Sequence, residues 1–279
     1  MSTRPADEMR YGSTVPTVTR VIRDRIESGR YAHGSQLPST RELADDFNVS
    51  GATITKAMQN LAADGLVVSK AKSSRIVHYP EGAAQTERGT TTVVVAIGGL
   101  AGTGKSEFGR ILARLSGTAM VDKDTTTRAV VEASLEALGQ LASDRESDTY
   151  LEVIRPAEYR ALLMTLQENL ECGISVVVSA PFTKELADRA WCDRLQALVT
   201  RLGGELHVVW VRCDPDTMRT YIQGRGAARD AYKLANWDAY LDGLDLDMRP
   251  EIEHTVIDNS AGAPPLEQQA AELLARIAR

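Results

Sequence analysis

The chain has 279 residues, 38 of them acidic and 32 basic, giving a formal net charge of −6. That length allows one or two domains, and 43% apolar with 25% charged residues excludes wholesale disorder. No run approaches the roughly 18 apolar residues of a spanning helix, no apolar signal region opens the chain, and Cys172, Cys192 and Cys213 lack metal-type spacing, so the expectation is a cytoplasmic protein without membrane contact, zinc site or disulfide framework.

Residues 1–14 show no hydrophobic period and are expected to form a disordered tail. From Val15 to Ser28, the steps Val15, Val18, Ile22 and Ile26 mark one face of a helix, and Gly29 stops it. Ser39 followed by Glu42 is a capping box for a short helix, Thr40–Phe47, with Leu43, Ala44 and Phe47 inward. After the Asn48-Val49 turn, Ser50 caps a third helix running to about Asp64, with Ile54, Ala57, Met58 and Leu61 inward. Leu66–Ser69 and Arg75–Tyr79 alternate as two strands around a polar tip. Residues 81–91 are small and polar, as a linker is. Beyond them the period changes. Val93–Ile97 is a solid apolar strand before a glycine loop, and further strands are expected near 118–121, 174–179, 206–211 and 255–258, with helices between and a last helix over Leu266–Ile277. Solid apolar strands alternating with helices mean a doubly wound parallel sheet.

Charge separates these parts. Residues 15–80 carry nine Lys/Arg against six Asp/Glu, whereas 81–279 balance to −9. The order helix, helix–turn–helix, two-stranded wing is that of a winged helix-turn-helix domain, whose second helix of the pair can enter the major groove. Arg41, Ser50, Thr53, Thr55 and Lys56 lie on or beside that pair, and Lys70, Lys72 and Arg75 lie on the wing, where phosphates would be. The run LPSTRELADDFNVSGATITKAMQNLAADGLV resembles the DNA-binding domain of the GntR family of bacterial regulators, and the resemblance covers residues 15–80. It implies binding as a homodimer to a double-stranded operator. Gly51 departs from the family, many members of which open this helix with a basic residue, and the tip AKSSRIV lacks the usual glycine turn.

Gly99-Leu100-Ala101-Gly102-Thr103-Gly104-Lys105-Ser106 fits the phosphate-loop pattern, placed between an expected strand and an expected helix. Backbone N–H groups at Gly99, Gly102, Thr103 and Gly104, with the helix start to Glu107, would wrap phosphates. Lys105 would reach the β- and γ-phosphates and face solvent while the site is empty; Ser106 would hold Mg²⁺. The second strand ends in Val121-Asp122-Lys123-Asp124. Ligands of open parallel sheets sit beyond the strands' carboxyl ends, so Asp122 is a candidate base or outer Mg²⁺ partner. Asp124 is either a second acid or the N-cap of a helix over Thr125–Ala142, and Lys123 either a phosphate contact or a surface lysine.

The phosphate loop, then VDKD, then VVVSAPF resemble the small-molecule kinase group of P-loop proteins, which includes gluconate, shikimate and chloramphenicol kinases. The resemblance spans about 92–260 and implies a parallel α/β/α sandwich. The third strand ends in Ser179-Ala180-Pro181-Phe182, without the usual acid. In this group an acid after the second strand often acts instead; here that is Asp122. The resemblance also implies an arginine-bearing lid, which Arg225 and Arg229 fit best with Asp230 orienting one of them, and a loop bordering the adenine, here Asp258-Asn259-Ser260. Tyr221 stands where related lids carry another arginine.

Two readings follow. One is a DNA-binding regulator, winged helix-turn-helix at 15–80 and P-loop body at 92–279, that takes ATP or ADP with Mg²⁺ as effector or phosphoryl donor. The other is an active ATP-dependent kinase of an unidentified small-molecule hydroxyl that autoregulates through its head.

Overall fold

The computed structural model describes residues 14–31, 33–70, 74–78, 91–226 and 230–278, apart from the side chains of Lys70, Ala231 and Tyr232. The chain divides into two compact units, 1–88 and 89–279. The expected tail, except Thr14, and the expected linker, except Thr91, lie outside the described residues.

In the first unit, α1 (Val15–Glu27), α2 (Thr40–Phe47) and α3 (Gly51–Ala63) precede β1 (Val67–Lys70) and β2 (Ser74–Val77). The capping box forms: Ser39 Oγ accepts from Glu42 N at 3.2 Å, and Glu42 Oε2 accepts from Ser39 N at 2.7 Å. Asn48 closes α2 in the left-handed region, φ 51°, which turns the chain sharply into Ser50. Ser50 caps α3 by accepting from Thr53 N at 3.1 Å. Ile22, Leu43, Ile54, Ala57 and Leu61 are buried together, and Leu37, Val67 and Val77 close the core from the wing side. β1 and β2 pair antiparallel from Val67 opposite Val77 to Lys70 opposite Ser74.

The second unit is a five-stranded parallel sheet in the order β4-β5-β3-β6-β7. Its strands are β3 (Thr92–Gly98), β4 (Ala119–Asp122), β5 (Val176–Ser179), β6 (Gly204–Arg212) and β7 (His254–Asp258). Between and after them run α4 (Lys105–Ser116), α5 (Lys123–Ala137), α6 (Arg155–Glu171), α7 (Arg189–Arg201), α8 (Pro215–Arg225), the short α9 (Ala231–Ala235) and α10 (Trp237–Asp242), and α11 (Leu266–Ile277). A π-helical turn, Thr149–Ile154, leads into α6. Alternation along the strands gives the sheet two apolar faces. Val94, Ala96, Val176, Val178, Val208 and Trp210 meet α6 and α7. Val95, Ile97, Val177, Val209, Val211 and Ile257 meet Phe108 and Leu112 of α4 and Leu273 of α11. This is the expected parallel α/β/α sandwich. Parallel register aligns Ile97, Ser179 and Asp122 in one row at the carboxyl edge.

One expected boundary is corrected. The helix after β4 begins at Lys123 and ends at Ala137, and its N-cap is Asp122, whose Oδ1 accepts from Thr125 N at 3.0 Å. Asp124 lies inside the first turn, where its charge suits the helix dipole.

Candidate functional site

The loop after β3 wraps because three of its glycines take positive φ: Gly99 at 148°, Gly102 at 83° and Gly104 at 88°. A Cβ on Gly99 would stand 2.3 Å from Val211 O, a backbone atom that cannot step aside. The loop's interior is organised on the Leu100 carbonyl. It accepts from Thr103 Oγ1 at 2.9 Å and from Lys105 Nζ at 2.8 Å. Lys105 is therefore folded back on its own loop, which corrects the expectation that it faces solvent. Thr103 is buried, and its carbonyl accepts from Asn259 Nδ2 at 3.0 Å. Asn259 thus braces the loop from the end of β7, and Tyr221 OH reaches its Oδ1 at 3.4 Å. Glu107 lies on the exposed side of α4, paired with Arg110 at 3.0 Å, away from the loop's interior.

Of the two strand-end acids, Asp122 comes to the same place. Ser106 Oγ donates to Asp122 Oδ2 at 2.7 Å while Asp122 Oδ1 caps α5. Beside Asp122, Ser179 carries a buried hydroxyl with no partner among the described residues. Oxygen donors only, one charged and two neutral, with an orphaned hydroxyl among them, fit a hydrated hard divalent cation. Lys123 overturns both expectations for it. It is 4% exposed, and its Nζ lies 2.7 Å from Glu158 Oε1 and 3.0 Å from Asp124 Oδ1. Glu158 also accepts from Thr127 Oγ1 at 2.7 Å and Tyr150 OH at 2.8 Å, and burial pushes the Tyr150 phenol up. This network ties the start of α5 to the π-helical turn and α6.

At the end of α8, where a lid is expected, Arg225 donates to Asp230 Oδ2 through Nε at 2.9 Å and Nη2 at 2.5 Å, and Lys233 approaches Oδ1 at 3.5 Å. Asp230 is 1% exposed. Arg229 lies outside the described residues. Asp214 caps α8; hydrogen bonds from the Thr217 hydroxyl and amide hold its carboxyl down at about 2. Burial pushes the Cys213 thiol up to about 12, which keeps it protonated and unreactive.

On the head, Arg41, Ser50, Thr55 and Lys56 are exposed and Thr53 is half-buried. Two of the hydroxyls have local duties: Thr53 Oγ1 meets Ser50 Oγ at 2.9 Å, and Thr55 Oγ1 donates to Gly51 O at 2.8 Å. Arg75 is half-buried and donates to Thr40 Oγ1 at 2.9 Å, so it fastens the wing to α2 as well as carrying charge. The Lys70 side chain and Lys72 lie outside the described residues.

The sequence pass missed the Lys123–Glu158 pair and the orphaned hydroxyl. A signal for the pair exists: Glu158 falls on the four-residue stripe of Leu162, Leu166 and Leu170, where a carboxylate needs a buried partner. Ser179 has no such signal, since serine ends many strands.

Fold and site together define a P-loop kinase-like α/β domain that follows a winged helix-turn-helix DNA-binding head. Residues 94–246, more than half of the chain, match the AAA domain family, and the chain belongs to it. Residues 14–77 match the family described as bacterial regulatory proteins, gntR family. Similar to the head are the HTH-type transcriptional regulator YdeL of Bacillus subtilis, 37% identical over 60 residues (22% of this chain, 13% of that protein), and a probable fructoselysine utilization operon transcriptional repressor of Escherichia coli, 42% identical over 52 residues (19% and 21%). The chain thus spans only a small part of these relatives' length. Among solved structures, the Mycobacterium tuberculosis APS kinase CysC is 18% identical, with a TM-score of 0.46 over 68% of this chain and 99% of that one. A Sinorhizobium meliloti gluconokinase is 20% identical, with a TM-score of 0.43 over 67% and 94%. No helix among the described residues is long and apolar enough to cross a membrane.

Proposed function

We propose that this chain is a cytoplasmic, homodimeric transcription regulator in which a head at 15–80, joined by a linker at 81–91, binds operator DNA, and a body at 92–279 binds ATP or ADP with Mg²⁺ as the ligand that sets DNA affinity. The observation that carries it is the glycine loop at 99–106, with its left-handed glycines and Lys105 opening α4, in one chain with a capped recognition helix. Phosphates at the loop would take Lys105 from the Leu100 carbonyl, meet the first N–H groups of α4, and draw Arg225 and Arg229 from the lid. Asn259 and Tyr221 would flank the base. Ser106 and Asp122 would hold Mg²⁺, which neutralises phosphate charge when bound. On the head, Arg41, Ser50, Thr53, Thr55 and Lys56 would face the major groove, with Lys70, Lys72 and Arg75 at phosphates.

A ligand shifts DNA affinity only if it binds the DNA-competent and incompetent arrangements differently. Coupling of about 1–3 kcal/mol, 5- to 150-fold, is typical. Mobility-shift titrations with and without saturating ATP or ADP should differ at least fivefold, and Lys105→Ala should lose the response while keeping basal DNA binding. Identical midpoints in every condition would refute the effector role.

A second reading, phosphoryl transfer, is favoured by one observation: Asp122 lies beside Ser106 at the strand edge, free to accept a proton at Oδ2 once Ser106 turns away. Asp122 would take the proton of an acceptor hydroxyl as that oxygen attacks the γ-phosphorus and ADP leaves. Conversion of ATP to ADP that depends on an added hydroxyl compound and is abolished in Asp122→Asn would establish it; no turnover with any acceptor leaves the body a sensor.

A further inference from the structure

In the body, α5 carries apolar side chains on two opposite faces. Val131 and Leu135 pack on Tyr150 and Ile154. At about 3.6 residues per turn, Ala129, Val130, Ala133 and Ala137 fall on the other side of the helix, and all four are exposed. Val130 is 70% exposed, and the residues just after the helix add Leu138 at 58% and Leu141 at 77%. The solvent side of a surface helix is ordinarily polar, and a run of apolar side chains there marks a surface that meets another protein. The charges of α5 lie along one flank of this face. Arg128 and Glu136 are both exposed, about two turns apart, with half-buried Glu132 between them. In an antiparallel helix pair related by a two-fold axis, equivalent flanks lie side by side with their directions reversed. With the crossing at Ala133, Ala129 of one copy meets Ala137 of the other, and Arg128 of each comes beside Glu136 of the other. Alanines at the crossing let the two helices approach closely. The face is thus complementary to itself in shape and in charge.

Resting on the homodimer reading above, we propose that the exposed face of α5 is where two copies of this chain associate, as an antiparallel helix pair in which Arg128 of each copy pairs with Glu136 of the other. The helix is about 22 Å long, and one helix face of that length covers less than the roughly 800 Å² per partner of a standard stable interface. Association through α5 alone is therefore weak, with a Kd in about the μM to mM range. Two heads on adjacent half-sites of one duplex would hold two bodies close, and the effective concentration so supplied favours the pair.

The experiment is sedimentation equilibrium on the full chain at low salt, from about 1 μM to about 1 mM, as wild type, Arg128→Glu, Glu136→Arg and Ala133→Glu. Wild type should show a reversible monomer–dimer equilibrium. Each charge reversal turns two attractions into two repulsions and should weaken association at least about tenfold. An equimolar mixture of Arg128→Glu and Glu136→Arg should regain the wild-type affinity or exceed it, because every acid of the flank then faces a base on the other copy. Ala133→Glu places two like charges at the crossing and should abolish the dimer. All three positions are exposed on a helix, so each variant should keep its Tm within about 2 °C of wild type, which separates lost association from lost folding. A wild type that dimerises while every variant matches it overturns the α5 face and leaves the homodimer reading standing. A wild type that is monomeric throughout overturns both. Charge reversals that weaken the dimer without rescue in the mixture overturn the antiparallel pairing of Arg128 with Glu136.

Discussion

Lys123 and Glu158 offer the sharpest test of how the body is held together. Both are 4% exposed, and Nζ and Oε1 are 2.7 Å apart. Removing one partner of such a pair leaves a buried charge, at a cost of about 3–5 kcal/mol. Here the low end applies to each single change. In Lys123→Met, Glu158 keeps the Thr127 and Tyr150 hydroxyls; in Glu158→Leu, Lys123 keeps Asp124 at 3.0 Å. Each should cost about 3 kcal/mol, or roughly 6–12 °C in Tm for a unit of this size. The double variant removes both charges and leaves the Tyr150 hydroxyl without its acceptor, for about 1–2 kcal/mol. The two singles together, about 6 kcal/mol, should therefore exceed the double by about 4–5 kcal/mol, the coupling of the pair. Trp191, Trp210 and Trp237 all lie in the second unit, so tryptophan fluorescence reports its unfolding without contribution from the head. Additive singles, or singles costing less than about 1 kcal/mol, would refute the buried-pair reasoning.

The remaining predictions concern the loop, the head and the lid. Gly99→Ala should abolish ATP binding and lower the body's Tm by several degrees, because its Cβ would strike the Val211 carbonyl, whereas Gly117→Ala, with φ 70° and open space, should cost only the left-handed strain of about 1 kcal/mol and keep binding. Lys56→Ala should weaken operator binding and flatten the log–log salt dependence by roughly 0.9 if it meets a phosphate; Arg75→Ala should do so with an added loss of head stability, as its bond to Thr40 goes too. An unchanged slope in Lys56→Ala would take that residue off the DNA. Asp214 has a depressed folded pKa, so its contribution is present above its ordinary value of 3.8 and is lost as pH falls through about 2. The Tm gap between wild type and Asp214→Ala should be full at pH 5 and shrink by pH 3; a constant gap would mean that the cap does not depend on charge.

Much of this architecture was legible because local signals agreed with tertiary structure. Ser39 and Glu42 form their box wherever the chain is placed, and α11 spans Leu266–Ile277 as its periodicity implies. The glycine loop was legible for the same reason: few residues other than glycine tolerate its dihedrals. What escaped was set by partners distant in sequence. Whether Asp122 or Asp124 caps α5 depends on where β4 ends, and the strand pairing that carries Asp122 to Ser179 decides that. Lys123 reads as a phosphate contact or a surface lysine until Glu158, 35 residues later, is brought against it. Lys105 reads as an open phosphate anchor until the Leu100 carbonyl is seen to be within reach.

Three of the groups proposed to bind nucleotide share a property that bears on regulation: each is bonded to an acceptor of the protein itself. Lys105 is bonded to Leu100 O, Ser106 to Asp122 and Arg225 to Asp230. Phosphates and a cation would therefore exchange these bonds for new ones instead of adding to them. Exchange at nearly constant hydrogen-bond count keeps the gap between empty and bound arrangements small, so differences in ligand affinity of a few kcal/mol suffice to shift the population. It also makes the arrangements discrete, because Arg225 cannot chelate the buried Asp230 and a phosphate oxygen with the same N–H groups. A pure catalyst gains nothing from an internally bonded ground state, since those bonds must break at every turnover. A sensor does gain, because the internal bonds hold the ligand-free arrangement as a defined state with its own affinity for DNA. Replacing Asp230 with asparagine weakens one of those acceptors, and the sensor reading then requires tighter ATP binding together with a smaller nucleotide-dependent change in operator affinity.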